Sequence, residues 1–412
     1  MIPVRALACL LLAASAHAGP QADVVHWWTS PGEVAAKHAL ADAYRAAGGH
    51  WRDLALVASE QARGVVQSRI RAGNPPLAAQ FNPSLEFVQL AREGRLNTLD
   101  ELATRDGWAH VLPAVLMDAI RVDGHVYAAP LSVHSPLWLW SSRAALAKAG
   151  IKAEPRSMDE LFGALDRLQA AGLVPLAHGG QPWQDLNLFT AVLANQGGRE
   201  LYLAVLRDRN PAALQGEPLR QVLLTYKKLR RYVDGASLGR SWNDTTALLI
   251  SGRAGFQFMG DWVKGEFTAA GQLPGRDYGC APGLHPQAPY VVGGDVLVFP
   301  RGTDASAVPA QQLLARVATA PATQLAFSAR KGSVPVRTDL DTRGLDACAQ
   351  QGAAALRNPA RLVGNTELLL APERLTALER AVSDYWNQDI PAPAAQQRIA
   401  AVLNNTDNRR LP

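Results

Sequence analysis

Ten tryptophans stand in this chain of 412 residues, and several close short β-rich runs or turns beside a polar neighbour. Trp27 and Trp28 end Asp23-Val-Val-His-Trp-Trp28, and Trp183 ends His178-Gly-Gly-Gln-Pro-Trp183. Trp242 stands in Arg240-Ser-Trp-Asn-Asp244, and Trp262 ends Met259-Gly-Asp-Trp262. An indole face suits the C–H surface of a sugar ring, while adjacent Asp, Glu, Asn and Lys groups bond its hydroxyls. Packing inside a core or between lobes is the competing reading for any single tryptophan. Four such places, each with a polar neighbour, favour a ligand at the carboxyl ends of strands.

A carboxylate pair for glycoside cleavage is the second chemistry open to this chain, with Glu33, Asp244, Asp261 and Asp295 as candidates. Cleavage needs two carboxyls about 5–9 Å apart, which spacing along a chain does not reveal. Phosphate chemistry has no glycine-rich cradle: neither G-x-x-x-x-G-K-[ST] nor G-x-G-x-x-G occurs, and Lys331-Gly-Ser333 places one ammonium at a turn. Nine histidines contain no H-E-x-x-H, and there is no Cys-x-x-Cys, so no metal site is expected. A G-x-S-x-G elbow is also missing. No catalytic residue, metal or cofactor is assigned, and binding without turnover is the leading reading.

The elements that must position these residues follow from hydrophobic period. Asp23 to Trp28, Leu54 to Val57 and Ala78 to Phe81 read as strands, separated by helices over 33–47 and 60–72. That alternation predicts βαβ units and a largely parallel sheet. Ser157-Met-Asp-Glu160 forms a capping box ahead of a Leu161, Leu165, Leu168 stripe. Further strands are expected at 173–177, 255–259 and 290–299, and mostly helix from about 302. Pro-marked extended segments near Pro130, Pro282 and Pro335, with no Gly/Ser linker, favour two interleaved lobes.

The N-terminus carries an address. Met1-Ile-Pro-Val-Arg5, the apolar run Ala6 to Ala16 and Ala16-His17-Ala18 have the layout of a signal peptide cleaved after Ala18. Its removal takes Cys9 and leaves Cys280 and Cys348, which in an exported protein read as one disulfide, with two buried thiols as the alternative. A net charge of +5 with no basic run longer than two residues excludes a clustered nucleic-acid footprint. No later apolar run is long enough to span a bilayer, so a soluble, monomeric protein outside the cytoplasm is expected.

One ordered set of motifs is similar to a known family. Val25-His-Trp-Trp-Thr-Ser-Pro-Gly-Glu33, Ala72-Gly-Asn-Pro-Pro76, His178-Gly-Gly-Gln-Pro-Trp-Gln-Asp185, Gly252-Arg-Ala-Gly-Phe256 with Met259-Gly-Asp-Trp262, and Lys331-Gly-Ser-Val-Pro-Val-Arg337 resemble the sugar-binding proteins of bacterial ATP-binding-cassette importers. These form extracellular solute-binding protein family 1, and the likeness is closest to its periplasmic glucose-binding branch. The resemblance implies an α/β, two-lobed periplasmic-binding-protein fold of the maltose-binding type, with interleaved lobes and a ligand cleft at the hinge. It places an N-terminal lobe at 19–130 plus about 291–335, and a C-terminal lobe at about 131–290 plus 336–412. Closure around the sugar would present a surface to membrane permease subunits or to a chemoreceptor.

Carried over by position, the resemblance implies a site of Trp27, Trp28, Glu33, Gln80, Asn82, His134, Trp242, Trp262, Asp295 and Lys331. Asp295 and Lys331 would bond hydroxyls as a charge-assisted pair, and Trp183 would serve in the site or in lobe packing. Cys280 and Cys348 fall where that branch has a paired set. Two departures stand out. Asn82 occupies a position where glucose-type proteins tend to carry a basic or imidazole group, and the last histidine is His285, with Asn365 in the place of a later one. The sugar class follows from the resemblance, whereas glucose itself does not. An exported glycoside hydrolase using the carboxylate pair remains the alternative.

Overall fold

A computed structural model describes residues 21–302 and 307–404, so the expected export segment at 1–18 lies outside the described residues. Two sheets carry the architecture. The first has six strands, ordered Leu362–Gly364, Tyr290–Val298, Ala78–Phe81, Gln21–His26, His50–Ala55, with Ala128–His134 on the other edge of Tyr290–Val298. Gln21–His26 runs parallel to both of its neighbours, as βαβ units require. Ala78–Phe81, Ala128–His134 and Tyr290–Val298 are buried along their whole length, and the polar Gln80, Ser132, His134 and Asp295 within them are hydrogen-bonded. The second sheet has four strands, ordered Tyr278–Ala281, Trp138–Ser142, Ala254–Met259, Val174–Leu176.

The chain passes from sheet to sheet at Ser135–Leu137, between Ala128–His134 and Trp138–Ser142, and again between Tyr278–Ala281 and Tyr290–Val298. Tyr290–Val298 pairs with Leu362–Gly364 at its start and with Ala78–Phe81 at its end, both within the six-stranded sheet. Val334 then exchanges backbone hydrogen bonds of 2.9 and 3.0 Å with Val133. The result is a two-lobed, interleaved α/β fold with two apolar clusters, one running from the six-stranded sheet onto Trp138, Trp140 and Tyr278 of the other, the second packing on Leu139, Phe256 and Phe258. The cysteines are bridged: Cys280–Cys348, with Cα atoms 6.0 Å apart, ties the strand Tyr278–Ala281 to the helix Ala347–Leu356.

Local boundaries differ from the sequence reading in three places. The first strand ends at His26, leaving Trp27 and Trp28 in the turn after it. The second is His50–Ala55 instead of 54–57, because it is a largely exposed edge strand in which His50, Arg52 and Asp53 interrupt the apolar residues. At Ser157 the hydroxyl accepts from the Glu160 amide, but the Glu160 carboxylate reaches back to the Arg156 N–H, one residue beyond a capping box.

Candidate ligand-binding cleft

The strand ends of both sheets open on one cavity of about 390 Å³. Four partly exposed indoles wall it. Trp27 follows the strand Gln21–His26, and Trp262 follows Ala254–Met259. Trp183 and Trp242 stand in the first turns of the helices Pro182–Leu206 and Trp242–Ile250. Trp242 and Trp262 meet edge to face at 6.4 Å, so each holds the other's ring plane. Trp183 Nε1 donates to Gln181 Oε1 at 3.0 Å, which fixes that ring as well.

The floor is charged. Glu33, in the first turn of the helix Pro31–Ala46, accepts from Lys331 Nζ at 3.1 Å and from the Thr29 and Ser30 amides at 3.1 and 3.2 Å. Asp295 sits where the pairing of Tyr290–Val298 with Ala128–His134 shifts register, an irregularity that re-aims a side chain. Its Oδ1 accepts from Gln80 Nε2 at 2.7 Å, and its Oδ2 lies 2.9 Å from His134 Nε2 and 3.3 Å from Trp28 Nε1. Burial alone would raise the Asp295 pKa, but His134, Lys331 and Gln80 together hold it well below the ordinary carboxylate range. Burial would lower the Lys331 pKa, and Glu33 with Asp295 more than offsets it, so that ammonium stays charged. Gly294 is required here by contact: a Cβ on it would lie 2.3 Å from the Ser132 carbonyl oxygen.

The far end is acidic. Asn82 Nδ2 donates to Glu367 Oε2 at 2.6 Å, and Asn365 Nδ2 donates to the same oxygen at 3.2 Å. Burial raises the Glu367 pKa, and burial with the nearby Glu60 and Glu367 pushes Glu379 up to about 7.

Of the ten expected site residues, Trp27, Glu33, Asn82, His134, Trp242, Trp262, Asp295 and Lys331 line the cavity. Trp28 and Gln80 do not. Trp28 is 1% exposed, packed against His26 and Phe327, and its indole donates to Asp295 from behind. Gln80 is 1% exposed in a buried strand and bonds the Trp27 amide and Asp295. Both orient residues that line the cleft. The Lys331 ammonium is hydrogen-bonded to Glu33, and Asp295 acts on it through charge.

Sequence reasoning missed Asn187, Glu367 and Glu379 as lining residues. Asn187 stands one turn beyond Trp183 on a helix that is buried at that point, a signal the spacing did contain. Glu379 comes from the helix Pro372–Asn387, where only tertiary contact brings it to the cleft.

Residues 12–324 match the family described as bacterial extracellular solute-binding protein. The chain is 41% identical over 350 residues to a probable sugar-binding periplasmic protein of Rhizobium meliloti, covering 84% of each. It belongs to the bacterial extracellular solute-binding proteins. A second relative of this solute-binding protein, a probable sugar-binding periplasmic protein of Brucella suis, is 40% identical over 357 residues, covering 85% of this chain and 84% of that one. The solute receptor AcbH superposes with a TM-score of 0.78 at 18% identity, over 92% of this chain and 97% of its own. A chitin oligosaccharide binding protein does so with 0.77 at 17%, over 93% and 98%. These likenesses fix the fold of the solute-binding protein as that of two-lobed solute receptors.

Proposed function

We propose that this protein captures a sugar, a monosaccharide or short oligosaccharide, in the inter-sheet cleft and delivers it to the membrane permease of an ATP-binding-cassette importer. The observation that carries this reading is the pairing of four indole walls with a charged, hydrogen-bonded floor. Aromatic faces take the C–H surface of a pyranose, and the floor takes its hydroxyls. Lys331 commits one proton to Glu33 and keeps the others for hydroxyl oxygens; Asp295 Oδ1 keeps a lone pair for a hydroxyl proton. Relatives named as probable sugar-binding periplasmic proteins support the same class.

The protein is exported to the periplasm after cleavage at Ala18, works as a monomeric carrier and closes by a hinge. Its lobes comprise 19–130 with about 291–335, and about 131–290 with 336–412. Of the four carboxylates weighed for glycoside cleavage, Asp261 and Asp295 both bond His134 and Glu33 bonds Lys331, so three are committed to partners within the protein, which favours a carrier.

A thermal-shift screen of residues 19–412 against mono- and disaccharides tests the reading. Ligand at about 100 times its Kd stabilises the folded state by about 2.7 kcal/mol, and chromatography should recover the sugar unchanged. No shift with any sugar would overturn the substrate class, and product accumulating with time would overturn the carrier role.

A further inference from the structure

His134 joins carboxylates that come from both sheets. It ends the strand Ala128–His134 and is 6% exposed. Its Nδ1 lies 2.7 Å from Oδ1 of Asp261, which follows the strand Ala254–Met259 of the four-stranded sheet. Its Nε2 lies 2.9 Å from Oδ2 of Asp295, in the strand Tyr290–Val298 of the other sheet. A neutral imidazole has one N–H and one lone pair, so it would turn that lone pair on a carboxylate oxygen at one end. Only the imidazolium donates at both ends.

The groups facing the ring from each side are consistent with the cation. Asp261 and Asp295 favour it, while burial and the Lys331 ammonium oppose it, and the carboxylates prevail to raise its pKa above 6.5. Ser132 Oγ lies 3.3 Å from Nε2, and the Trp262 indole meets the ring edge to face at 5.5 Å. Asp261 is itself anchored, accepting from the Ser135 amide at 3.0 Å while its own amide donates to the Ser135 carbonyl at 3.1 Å. Trp262 is its neighbour in sequence.

We propose that His134 is a positioning residue for ligand capture that works only as the imidazolium, a clasp holding Asp261 and Trp262 of one lobe in register with Asp295 of the other. The role in capture rests on reading the cleft as a sugar site; the doubly protonated ring does not. With the proton present, indole and carboxylate address one ligand together. When it leaves, one carboxylate faces a lone pair and the two halves of the site separate. Affinity is therefore full below the folded pKa of His134 and falls as pH rises through it.

Two measurements test this. Long-range ¹H–¹⁵N NMR of the ligand-free full chain should show both ring nitrogens of His134 protonated at about pH 7. Calorimetry with the sugar that gives a thermal shift should find constant affinity on the acid side and a fall of up to about tenfold per pH unit above the transition. His134→Gln should lower affinity about tenfold to a hundredfold at neutral pH and abolish the alkaline fall. Circular dichroism checks that this variant folds. Asp261→Asn, which keeps the ring, should move the alkaline fall to lower pH. A singly protonated ring at about pH 7 in a protein that binds sugar, or His134→Gln with an unchanged pH profile, would overturn the clasp alone. No binding of any sugar at any pH would overturn the sugar reading and the capture role with it.

Discussion

At the scale of residues, neighbours in sequence have unlike tasks. Trp27 presents its ring to the cleft, whereas Trp28 is buried and touches the cleft only through Asp295. Trp27→Ala or Trp262→Ala should therefore weaken sugar binding by about 2–4 kcal/mol in calorimetry. Trp28→Phe keeps an aromatic ring, though a smaller one, and removes one donor to Asp295, and should cost about 1 kcal/mol of affinity. Equal losses for the three would mean that the indoles serve as packing alone. Glu379 makes a different prediction. Its pKa rises from 4.5 to about 7 through burial and the nearby Glu60 and Glu367, so the folded protein holds a proton there that the unfolded chain has lost. Stability should fall as pH climbs between those values. Glu379→Gln should raise the melting temperature at about pH 8 and leave it nearly unchanged at about pH 4; the opposite order would refute the assignment.

At the scale of elements, the helix Pro31–Ala46 shows how the site is held. Its first turn is met by a carboxylate from elsewhere: Glu266 Oε1 accepts from Ser30 Oγ at 2.7 Å and from the Gly32 amide at 3.0 Å. Glu266 lies on Val263–Ala269, after a strand of the four-stranded sheet, while Pro31–Ala46 follows a strand of the other. The backbones approach closely here, since a Cβ on Gly32 would lie 2.5 Å from the Gly265 carbonyl carbon. Glu266→Ala leaves both donors without their carboxylate and should cost about 1–3 kcal/mol in chemical denaturation. Glu266→Gln keeps an acceptor and should cost less, and equal costs would remove the hydrogen bonds as the cause. Glu33, which lines the cavity, was legible as a cleft candidate from its motif, but Glu266 was not, because nothing local marks a side chain that acts on an element following the other sheet. The same contrast runs through the elements. The buried strands at 78–81 and 290–298 were legible from their apolar runs, the exposed edge strand His50–Ala55 was misplaced, and Trp28 and Gln80 were credited to the cleft because sequence adjacency does not say which face a side chain takes.

At the scale of the molecule, the joining segments and the disulfide have separable effects. Under the proposed hinge closure, rotation of one sheet against the other is absorbed where the chain passes between them, at Ser135–Leu137 and just before Tyr290, and the hydrogen bonds between Val133 and Val334 tie a later segment to the first of these. Cys280–Cys348 bridges Tyr278–Ala281 and the helix Ala347–Leu356 packed on it, over a separation of 68 residues. In the chain-entropy model a loop of that length contributes about 4 kcal/mol by restricting the unfolded chain. Reduction should thus lower stability by about that amount, with two thiols appearing by mass analysis of the native protein before and after reductant. It should not prevent closure. Small-angle scattering should record the same ligand-induced decrease in radius of gyration for oxidised and reduced protein, because under the proposed lobe limits the bridge ties two elements of one lobe. Loss of that decrease on reduction, in protein that remains folded by circular dichroism, would place the bridge within the hinge and require lobe limits different from those proposed.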